Sequence, residues 1–408
     1  MSLSLSCIWI LFFECRSLFA SKAIQTGDCI MKVPYNVQLT PDDLSPKIKS
    51  LLADEIGNIS KLATIILFEQ SKGQDSQWAP YIGCLPQPGE IHSTIFWGEN
   101  EFDMIRCSSI YQETINQKAQ IEKEFLAVKQ AVRHCSEVLE NTTLKDFMHA
   151  CALVGSRAWG SSKGLSLIPF ADFLNHEGIT EAIVLSDEDR QLSEVIADRN
   201  YAPGEEVVIR YGRFSNATLL LDFGFTLPYN IHDQVQIEMK IPSHDPLCQM
   251  KLELMQRHHL RTVKDVSDFN SFRNPFTIKE VKSATGKGKG IPQSLRAFAR
   301  VLCCTSIQEL NELAMEAVQN DGRLARRPLR ICSKEIEAHK ILLSHITQLI
   351  EEYNVSLESL ETVNTPSMYG RFALRKQMAR DLLTGREEEV LHVYKLVTLF
   401  AINSSIFN

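Results

Sequence analysis

The sequence predicts an α+β protein in which helices precede and follow a compact unit of short strands. Apolar residues recur every three or four positions between residues 118 and 140 and again between 335 and 352, which is the spacing of an amphipathic helix. Residues 166–228 instead hold many short extended runs separated by turn signals. With 408 residues, of which 44% are hydrophobic and 23% charged, the chain has room for two or three folded domains.

The N-terminal part of the chain predicts strands and then a helix start. Residues 7–13 are an unbroken apolar run that resembles the core of a secretory signal, but no basic residue precedes Arg16. A buried first strand or an atypical first segment is the alternative. Residues 28–33 predict a short strand. Thr40 to Asp43 then combine a capping threonine, a proline and acidic residues, which is typical of a helix N-terminus.

Two helices are predicted before the β-rich unit. The clearer one runs from Lys118 to Glu140. Its apolar stripe comprises Ile121, Phe125, Val128, Val132, Cys135 and Leu139. The second starts near Thr143, which with Asp146 approximates a capping box, and continues to Trp159.

The β-rich unit and the helices after it follow from local signals. Residues 182–185 and 192–197 flank an acidic turn and predict a hairpin. A strand is predicted at 206–211, and Ser215 caps a short helix that stops at Gly224. Farther on, Ser306 and Glu309 form a capping box. A long helix over 335–352 is expected to bury one face. That face comprises Ile336, Leu343, Ile346 and Ile350.

Charge and cysteine content narrow the function classes. The net charge of −7 argues against a chain built wholly around nucleic-acid contact, although residues 251–300 hold eleven Lys and Arg against four Asp and Glu. Lys282, Lys287 and Lys289 lie in this basic segment, which is either a solvated loop or an electrostatic contact to RNA, DNA or an acidic protein. The eleven cysteines show no C-x-C or C-x-x-C spacing, which favours reduced thiols and argues against a metal site.

Three segments carry a resemblance to a known family. Residues 166–176 end in Asn175-His176, residues 206–211 end in Tyr211, and residues 222–225 read Asp-Phe-Gly-Phe after a Ser-Asn-Ala segment. In this order and spacing they resemble the C-terminal half of a SET domain. More narrowly, they resemble the plant SET class that includes Rubisco large-subunit methyltransferase.

The resemblance implies a domain organisation over roughly residues 16–385. A SET-type β-rich domain is expected at 16–230, with a helical insertion at about 40–160. An all-α domain that binds substrate or partner is expected at 235–390. Residues 1–15 would form an atypical N-terminal segment, and residues 391–408 an apolar tail.

The resemblance also implies the chemistry of lysine methylation with S-adenosylmethionine and without a metal ion. Methyl transfer from a sulfonium to an amine requires a neutral amine that is aligned with the S–CH₃ bond and shielded from water. Tyr211 is the implied catalytic residue, because its hydroxyl can orient the methyl group and favour the deprotonated amine. The implied cofactor-binding residues are Arg157, Asn175, His176, Leu18 and Phe19. The implied lysine channel comprises Asp172, Phe223 and Phe225.

Two departures from the family pattern bear on activity. SET domains approach the cofactor through a Gly-x-Gly loop, whereas the matching place here, Cys15–Ala20, has no glycine before Gly27. We expect either a degenerate loop or an atypical first segment, and either would weaken cofactor binding. Phe223 stands where the Rubisco enzyme class has tyrosine, and the missing hydroxyl is a hypothesis for an altered number of methyl groups added.

Two functional hypotheses follow. The first is a protein-lysine methyltransferase acting in plastid transcription and chloroplast development. The second is a catalytically weak or inactive scaffold subunit of the plastid-encoded RNA polymerase or nucleoid assembly. Residues 155–159 and 198–201 resemble the branch of the class found in the plastid transcriptionally active chromosome. This branch implies a chloroplast stroma or nucleoid location and partners that are plastid proteins or RNA polymerase-associated proteins, with nucleic-acid proximity through residues 251–300. No membrane insertion is expected, and no transit peptide is visible.

Overall fold

The computed structural model of the protein describes residues 7–12, 15–44, 46–52, 56–133, 141–161, 164–237, 239, 241–242, 244–258, 276–279, 293–362 and 370–385. The chain divides into two compact units. The first comprises Met1–Phe102 and Ile110–Thr226, and the second comprises Asp103–Ser109 and Leu227–Asn408.

The first unit contains three small sheets. Its strands are β1 Cys7–Phe12, β2 Cys15–Ala20, β3 Cys29–Pro34, β4 Ala158–Ser161, β5 Gly164–Leu167, β6 Asn175–His176, β7 Val184–Asp187, β8 Leu192–Ile196 and β9 Glu206–Ile209. One sheet has the order β1-β2-β9-β6, in which β6 and β9 are parallel and the other neighbours antiparallel. A second has the order β3-β8-β7, and β4 pairs with β5. The predicted hairpin at 182–197 is confirmed as β7 and β8.

Helices of the first unit pack beside these sheets. They are Pro46–Leu51, Asn58–Ser71, Ala79–Ile82, Glu99–Asp103, Ser109–Val132 and Leu144–Arg157. Asn58–Ser71 packs against Leu144–Arg157, and the interface buries Leu62 and Ile66 together with Phe147. The predicted capping box is confirmed, because the Thr143 hydroxyl accepts from the Asp146 amide while the Asp146 carboxylate accepts from the Thr143 amide at 2.9 Å.

The long helix before the capping box begins earlier than its apolar stripe predicts. It starts at Ser109 rather than Lys118 and is described as far as Val132. In its first turns a polar residue, Thr114, occupies a buried position and donates its hydroxyl to the Ile110 carbonyl at 2.7 Å. A hydrophobic pattern does not detect such a turn. The stripe residues Ile121, Phe125, Val128 and Val132 are buried as predicted. Cys135 and Leu139 lie outside the described residues.

The second unit is mainly helical. Its elements are β10 Gln234–Ile237 paired with β11 Phe276–Lys279, and the helices Cys248–Arg257, Gln293–Leu302, Ile307–Gln319, Cys332–Thr362 and residues 371–385. Its described core gathers Leu254, Ala297, Val301, Leu310, Leu313, Ala317 and Leu324. A mixed first unit followed by a helical second unit confirms the predicted α+β class.

The longest helix shows that its buried face was predicted one position off. Cys332–Thr362 buries Leu342 and Tyr353, whereas Leu343 is only half-buried. The shift arises because Glu335 and His339, both polar, occupy core positions on this helix. A stripe chosen from apolar residues alone therefore lies beside the true one, although Ile346 is correctly placed.

The basic segment at 251–300 is only partly described. Lys251 is 2% exposed and donates to the Asp245 carboxylate at 2.6 Å, and Arg300 is buried against Glu335. These two residues therefore add no exposed positive charge, although both are counted among the eleven Lys and Arg of residues 251–300. Lys282, Lys287, Lys289 and the apolar tail lie outside the described residues. Among the helices that the structure describes, none combines the length and apolarity needed to cross a bilayer.

Candidate functional site

The Asn175-His176 pair is positioned by the sheet of the first unit. β6 lies parallel to β9, with Asn175 opposite Val208 and His176 opposite Ile209. On the other side of β9, Leu18 of β2 pairs with Val207. Residues far apart in the sequence, from β2, β6 and β9, are thereby brought side by side at one place in the fold.

The side chain of Asn175 is held by two hydrogen bonds. Its Nδ2 atom donates to Ser17 Oγ and to Glu206 Oε1, both at 2.8 Å. Ser17 is 9% exposed and lies in β2, next to Leu18, whose side chain is 1% exposed in the core. Because Leu18 points inward, any ligand contact that it makes would use its main chain, whereas Phe19 is half-buried.

His176 is linked to Tyr211 through the main chain. The Tyr211 amide donates to His176 Nδ1 at 3.1 Å, and the two ring centroids are 5.1 Å apart. This bond fixes Nδ1 as the acceptor nitrogen of the neutral imidazole. The Asn175-His176 motif and the end of β9 therefore form one hydrogen-bonded unit.

The Tyr211 hydroxyl is the donor group of a half-buried side chain. It donates to the Leu174 carbonyl at 2.7 Å, one residue before the Asn-His pair. Burial raises the pKa of Tyr211 well above its usual range; Arg157 lowers it in part, while the carboxylates of Asp172 and Glu206 raise it further. The phenol is therefore neutral at physiological pH and acts as a hydrogen-bonding group rather than as a phenolate base.

Aromatic rings surround Tyr211. Phe223 stacks on it at 5.3 Å with 29° between the ring planes, and Trp159 meets it edge-on at 5.7 Å. Phe225 makes a further edge contact at 6.4 Å, and Phe214 lies 5.5 Å from Phe223. Such an apolar wall excludes water, and its ring faces attract an organic cation.

Gly224 allows Phe223 and Phe225 to take these positions. Its φ is +80°, a left-handed conformation that ends the π-helical turn Leu219–Phe223. A Cβ at this residue would lie 2.9 Å from the His92 amide nitrogen and 2.8 Å from that of Ser93. Both the conformation and the close approach require glycine.

Asp172 is buried beside the aromatic wall and held from two directions. It is 4% exposed, its Oδ2 atom accepts from the Tyr81 hydroxyl at 2.8 Å, and its carbonyl accepts from Arg157 Nη1 at 2.6 Å. Phe170, two residues before Asp172, has φ +70°, a left-handed conformation that costs a non-glycine residue on the order of 1–3 kcal/mol. The Ile168 carbonyl, which accepts from the Asp172 amide at 3.2 Å, helps to hold this turn.

The residues predicted from the sequence converge in the structure. Tyr211, Asn175, His176, Phe223 and Phe225 contact one another directly or through one neighbour. The residues that sequence reasoning gave no role to are Ser17, Glu206, Tyr81, Trp159 and Phe214. Trp159 and Glu206 lie within residues 155–159 and 206–211, which carry the family resemblance, so the sequence does hold a signal for both. Tyr81 lies in the helical insertion, where no sequence signal marked it.

Comparison with known families explains this arrangement. The SET domain model matches residues 16–212, and the Rubisco LSMT substrate-binding model matches residues 242–389. Residues 16–212 are therefore similar to a SET domain and residues 242–389 to a Rubisco LSMT substrate-binding domain.

Several curated relatives of the chain are named as protein methyltransferases. The chain is 31% identical over 265 residues to the chloroplastic Rubisco large-subunit N-methyltransferase of Pisum sativum and 27% identical over 262 residues to the chloroplastic fructose-bisphosphate aldolase-lysine N-methyltransferase of Arabidopsis thaliana. Each match covers 60% of this chain, and 52% and 53% of the respective relatives. The mouse actin-histidine N-methyltransferase is 26% identical over 413 residues, covering 96% of this chain and 64% of that protein. The chain thus spans about half the length of the two plant relatives.

Solved structures show the same fold. The SET domain of LSMT bound to lysine and AdoHcy superposes with a TM-score of 0.76 at 21% identity, covering 99% of this chain and 89% of that one. Rubisco LSMT bound to AdoMet gives a TM-score of 0.75 at 22% identity with the same coverage. The predicted SET-type architecture is therefore confirmed.

Proposed function

We propose that the protein is a SET-type, S-adenosylmethionine-dependent protein-lysine methyltransferase. The observation that carries the proposal is the neutral, half-buried Tyr211, which is joined to the Asn175-His176 pair and enclosed by aromatic rings. The pea and Arabidopsis relatives, both named as plastid protein methyltransferases, support the same chemistry.

The residues around Tyr211 fit S-adenosylmethionine, which supplies an electrophilic methyl group when it is bound. Arg157 places a cation beside the site, and its Nε atom is buried without a hydrogen-bond partner among the described residues. A ligand carboxylate would satisfy that donor. Arg157, Asn175, His176 and the strand bearing Leu18 and Phe19 are the residues that would hold the cofactor.

The protein's own groups favour methyl transfer to an amine in three ways. The rings of Trp159, Phe223 and Phe225 form an apolar lining that excludes competing water. The neutral Tyr211 hydroxyl gives no negative charge to hold the ammonium, so the deprotonated amine is not disfavoured there. The carbonyl of Leu174, which accepts from Tyr211, keeps the phenol in a fixed orientation.

Calorimetry with S-adenosylmethionine tests the cofactor site. We expect saturable heat from the wild type and from Tyr229→Phe, a control at a tyrosine that is 91% exposed. Asn175→Ala is expected to bind more weakly, because it loses both hydrogen bonds to Ser17 and Glu206. Absence of heat at millimolar ligand would remove the enzyme proposal and leave the scaffold hypothesis.

A labelled-methyl assay on plastid extract tests turnover and the acceptor. Acid hydrolysis of the labelled protein then separates methyl-lysine from methyl-histidine. We expect methyl-lysine. Recovery of methyl-histidine alone would instead assign the chain to the acceptor class of the actin-histidine relatives, which align over nearly all of it.

The proposal also covers where in the cell the protein acts and with which partners. We place the protein in the chloroplast stroma or nucleoid, acting on a plastid protein or bound to RNA polymerase-associated proteins. The chloroplastic relatives and the resemblance of residues 155–159 and 198–201 support this setting. Arg199 in the second segment forms an ion pair with Glu177 at 2.9 Å, so this residue of the resemblance has a structural role within the chain. Organelle fractionation, followed by co-purification with the plastid polymerase, tests both statements.

A further inference from the structure

A cluster of arginines lies in the second unit on the connection between the helices Ile307–Gln319 and Cys332–Thr362. We call residues 323–330, with the sequence Arg-Leu-Ala-Arg-Arg-Pro-Leu-Arg, the arginine loop. All four arginine side chains are exposed, and within the described parts of the chain they make no ion pair or hydrogen bond. The arginines are Arg323, Arg326, Arg327 and Arg330.

The arginine loop is anchored rather than free. Leu324 and Ala325 are 1% and 0% exposed, so the chain turns inward between Arg323 and Arg326. Ala325 has φ +44°, a conformation that an alanine keeps only where surrounding contacts enforce it. The arginines are thus displayed on either side of a buried anchor.

A buried ion pair holds this anchor from below. Arg300 Nη1 donates to the Ala325 carbonyl at 2.9 Å, while Arg300 Nη2 and Nε donate to the Glu335 carboxylate at 2.6 to 3.1 Å. Glu335 Oε2 also accepts from the Leu329 amide at 2.9 Å. Because the main chain of the arginine loop is held at Ala325 and at Leu329, the four arginines are displayed from a fixed backbone.

The carboxylates that contact this part of the chain bond to a buried guanidinium or to the main chain rather than to the four arginine side chains. Glu335 is engaged with Arg300 below the surface, and Glu316 accepts from the Arg327 amide at 3.3 Å. Asp321 is exposed and precedes the loop. The four exposed arginines concentrate positive charge within eight residues of a chain whose net charge is −7.

We propose that the arginine loop is the docking surface for an acidic segment of the partner protein. Planar guanidinium groups bind carboxylates in a bidentate manner, and arginine is enriched in protein interfaces alongside exposed apolar side chains. Ile331, 52% exposed, and Pro328 supply such neighbours. The four arginines lie within only eight residues, a length that suits a short acidic segment better than an extended phosphate backbone. The statement that this partner carries the acceptor lysine rests on the proposed function. The statement that the loop binds an acidic segment is independent of it.

The test measures binding of a fluorescein-labelled octaglutamate peptide to the full chain by anisotropy, without cofactor. The loop variant is Arg326→Glu with Arg327→Glu, and the control is Arg371→Glu with Arg380→Glu, which changes the same charge elsewhere in the second unit. We expect the loop variant to bind at least about tenfold more weakly and the control to change by less than about threefold. Wild-type affinity should fall as salt rises. Equal melting temperatures for the variants show that both remain folded.

Three results would overturn the proposal. The first is that the wild type does not bind the peptide. The second is that both variants lose the same affinity, which would mean that overall charge rather than the loop attracts the peptide. The third is that a twelve-nucleotide single strand binds the wild type more tightly than the peptide does and binds the loop variant more weakly, which would assign the surface to nucleic acid. None of these depends on methyl transfer. Failure of the calorimetric test with S-adenosylmethionine would conversely leave the peptide result standing.

Discussion

Substitution of Glu335 by glutamine gives the sharpest test of how the second unit is held together. The side chains of Arg300 and Glu335 are 6% and 8% exposed, and they share three hydrogen bonds of 2.6 to 3.1 Å. Glu335→Gln keeps the shape but removes the charge, so the Arg300 guanidinium stays buried without a counter-ion. Breaking a buried pair from one side costs about 3–5 kcal/mol.

Urea unfolding followed by far-UV circular dichroism measures this loss, because the second unit is mainly helical. Tryptophan fluorescence supplies an internal control, since all four tryptophans, Trp9, Trp78, Trp97 and Trp159, lie in the first unit. The paired variant Arg300→Met with Glu335→Leu removes both charges and should recover much of the lost stability. A loss below about 1 kcal/mol for Glu335→Gln would refute the reasoning.

The pH dependence of the same experiment has a definite sign. Burial alone would raise the pKa of Glu335, but the hydrogen bonds from Arg300 and the Leu329 amide outweigh it, so the pKa is lowered. A carboxyl with a lowered folded pKa stabilises the protein above its unfolded pKa and loses that contribution as the pH falls through the folded value. The stability difference between wild type and Glu335→Gln should therefore be full at neutral pH and shrink in acid. A constant difference down to pH 3 would contradict this.

Four further substitutions test the SET-type unit. Tyr211→Phe removes the hydroxyl that bonds the Leu174 carbonyl. Because the loss of one preorganised donor typically costs this much, the variant should slow single-turnover methyl transfer by about 10²–10³-fold while keeping its fold. A rate within twofold of the wild type would exclude a catalytic role for Tyr211. Phe223→Tyr adds a hydroxyl beside Tyr211 and should shift products toward fewer methyl groups, as read by mass spectrometry, and an unchanged ratio of mono-, di- and trimethyl products would discard the idea. Tyr81→Phe leaves Asp172 Oδ2 without its 2.8 Å donor and should cost about 1–3 kcal/mol in thermal unfolding, whereas Tyr229→Phe should cost nothing measurable. Gly224→Ala should lose more than about 1 kcal/mol, because it places a methyl group at φ +80° against the amides of His92 and Ser93; a stability gain would show that this turn is not strained.

The local signals in the sequence were sufficient for the elements that depend on neighbouring residues. The capping boxes at Thr143 and Ser306 and the hairpin of β7 and β8 appear where the sequence predicts them, because caps and tight turns are made within a few residues. The site motif at Asn175, His176 and Tyr211 was also recognisable, since its residue types recur in order within short segments.

Elements whose core positions are polar were not predictable in this way. The helix beginning at Ser109 buries Thr114, and Cys332–Thr362 buries Glu335 and His339, so a search for apolar periodicity misplaces the start of one helix and the buried face of the other. Burial of these groups is acceptable only because a partner satisfies them, and the partner of Glu335 is a residue 35 positions away.

The sequence by itself determined the fold class and the resemblance to SET-type methyltransferases, because periodicity, capping and short motifs are local properties. Only the tertiary structure decided what surrounds the residues that carry this resemblance. Sheet pairing and helix packing bring distant residues into hydrogen-bond contact. Ser17 and Asn175 are 158 positions apart in the sequence, and Tyr81 and Asp172 are 91 apart. The same holds for the arginine loop, whose anchor depends on the distant pair Arg300 and Glu335. Contacts of this kind arise from the balance of burial, charge and chain geometry over the whole unit, and no single segment encodes them.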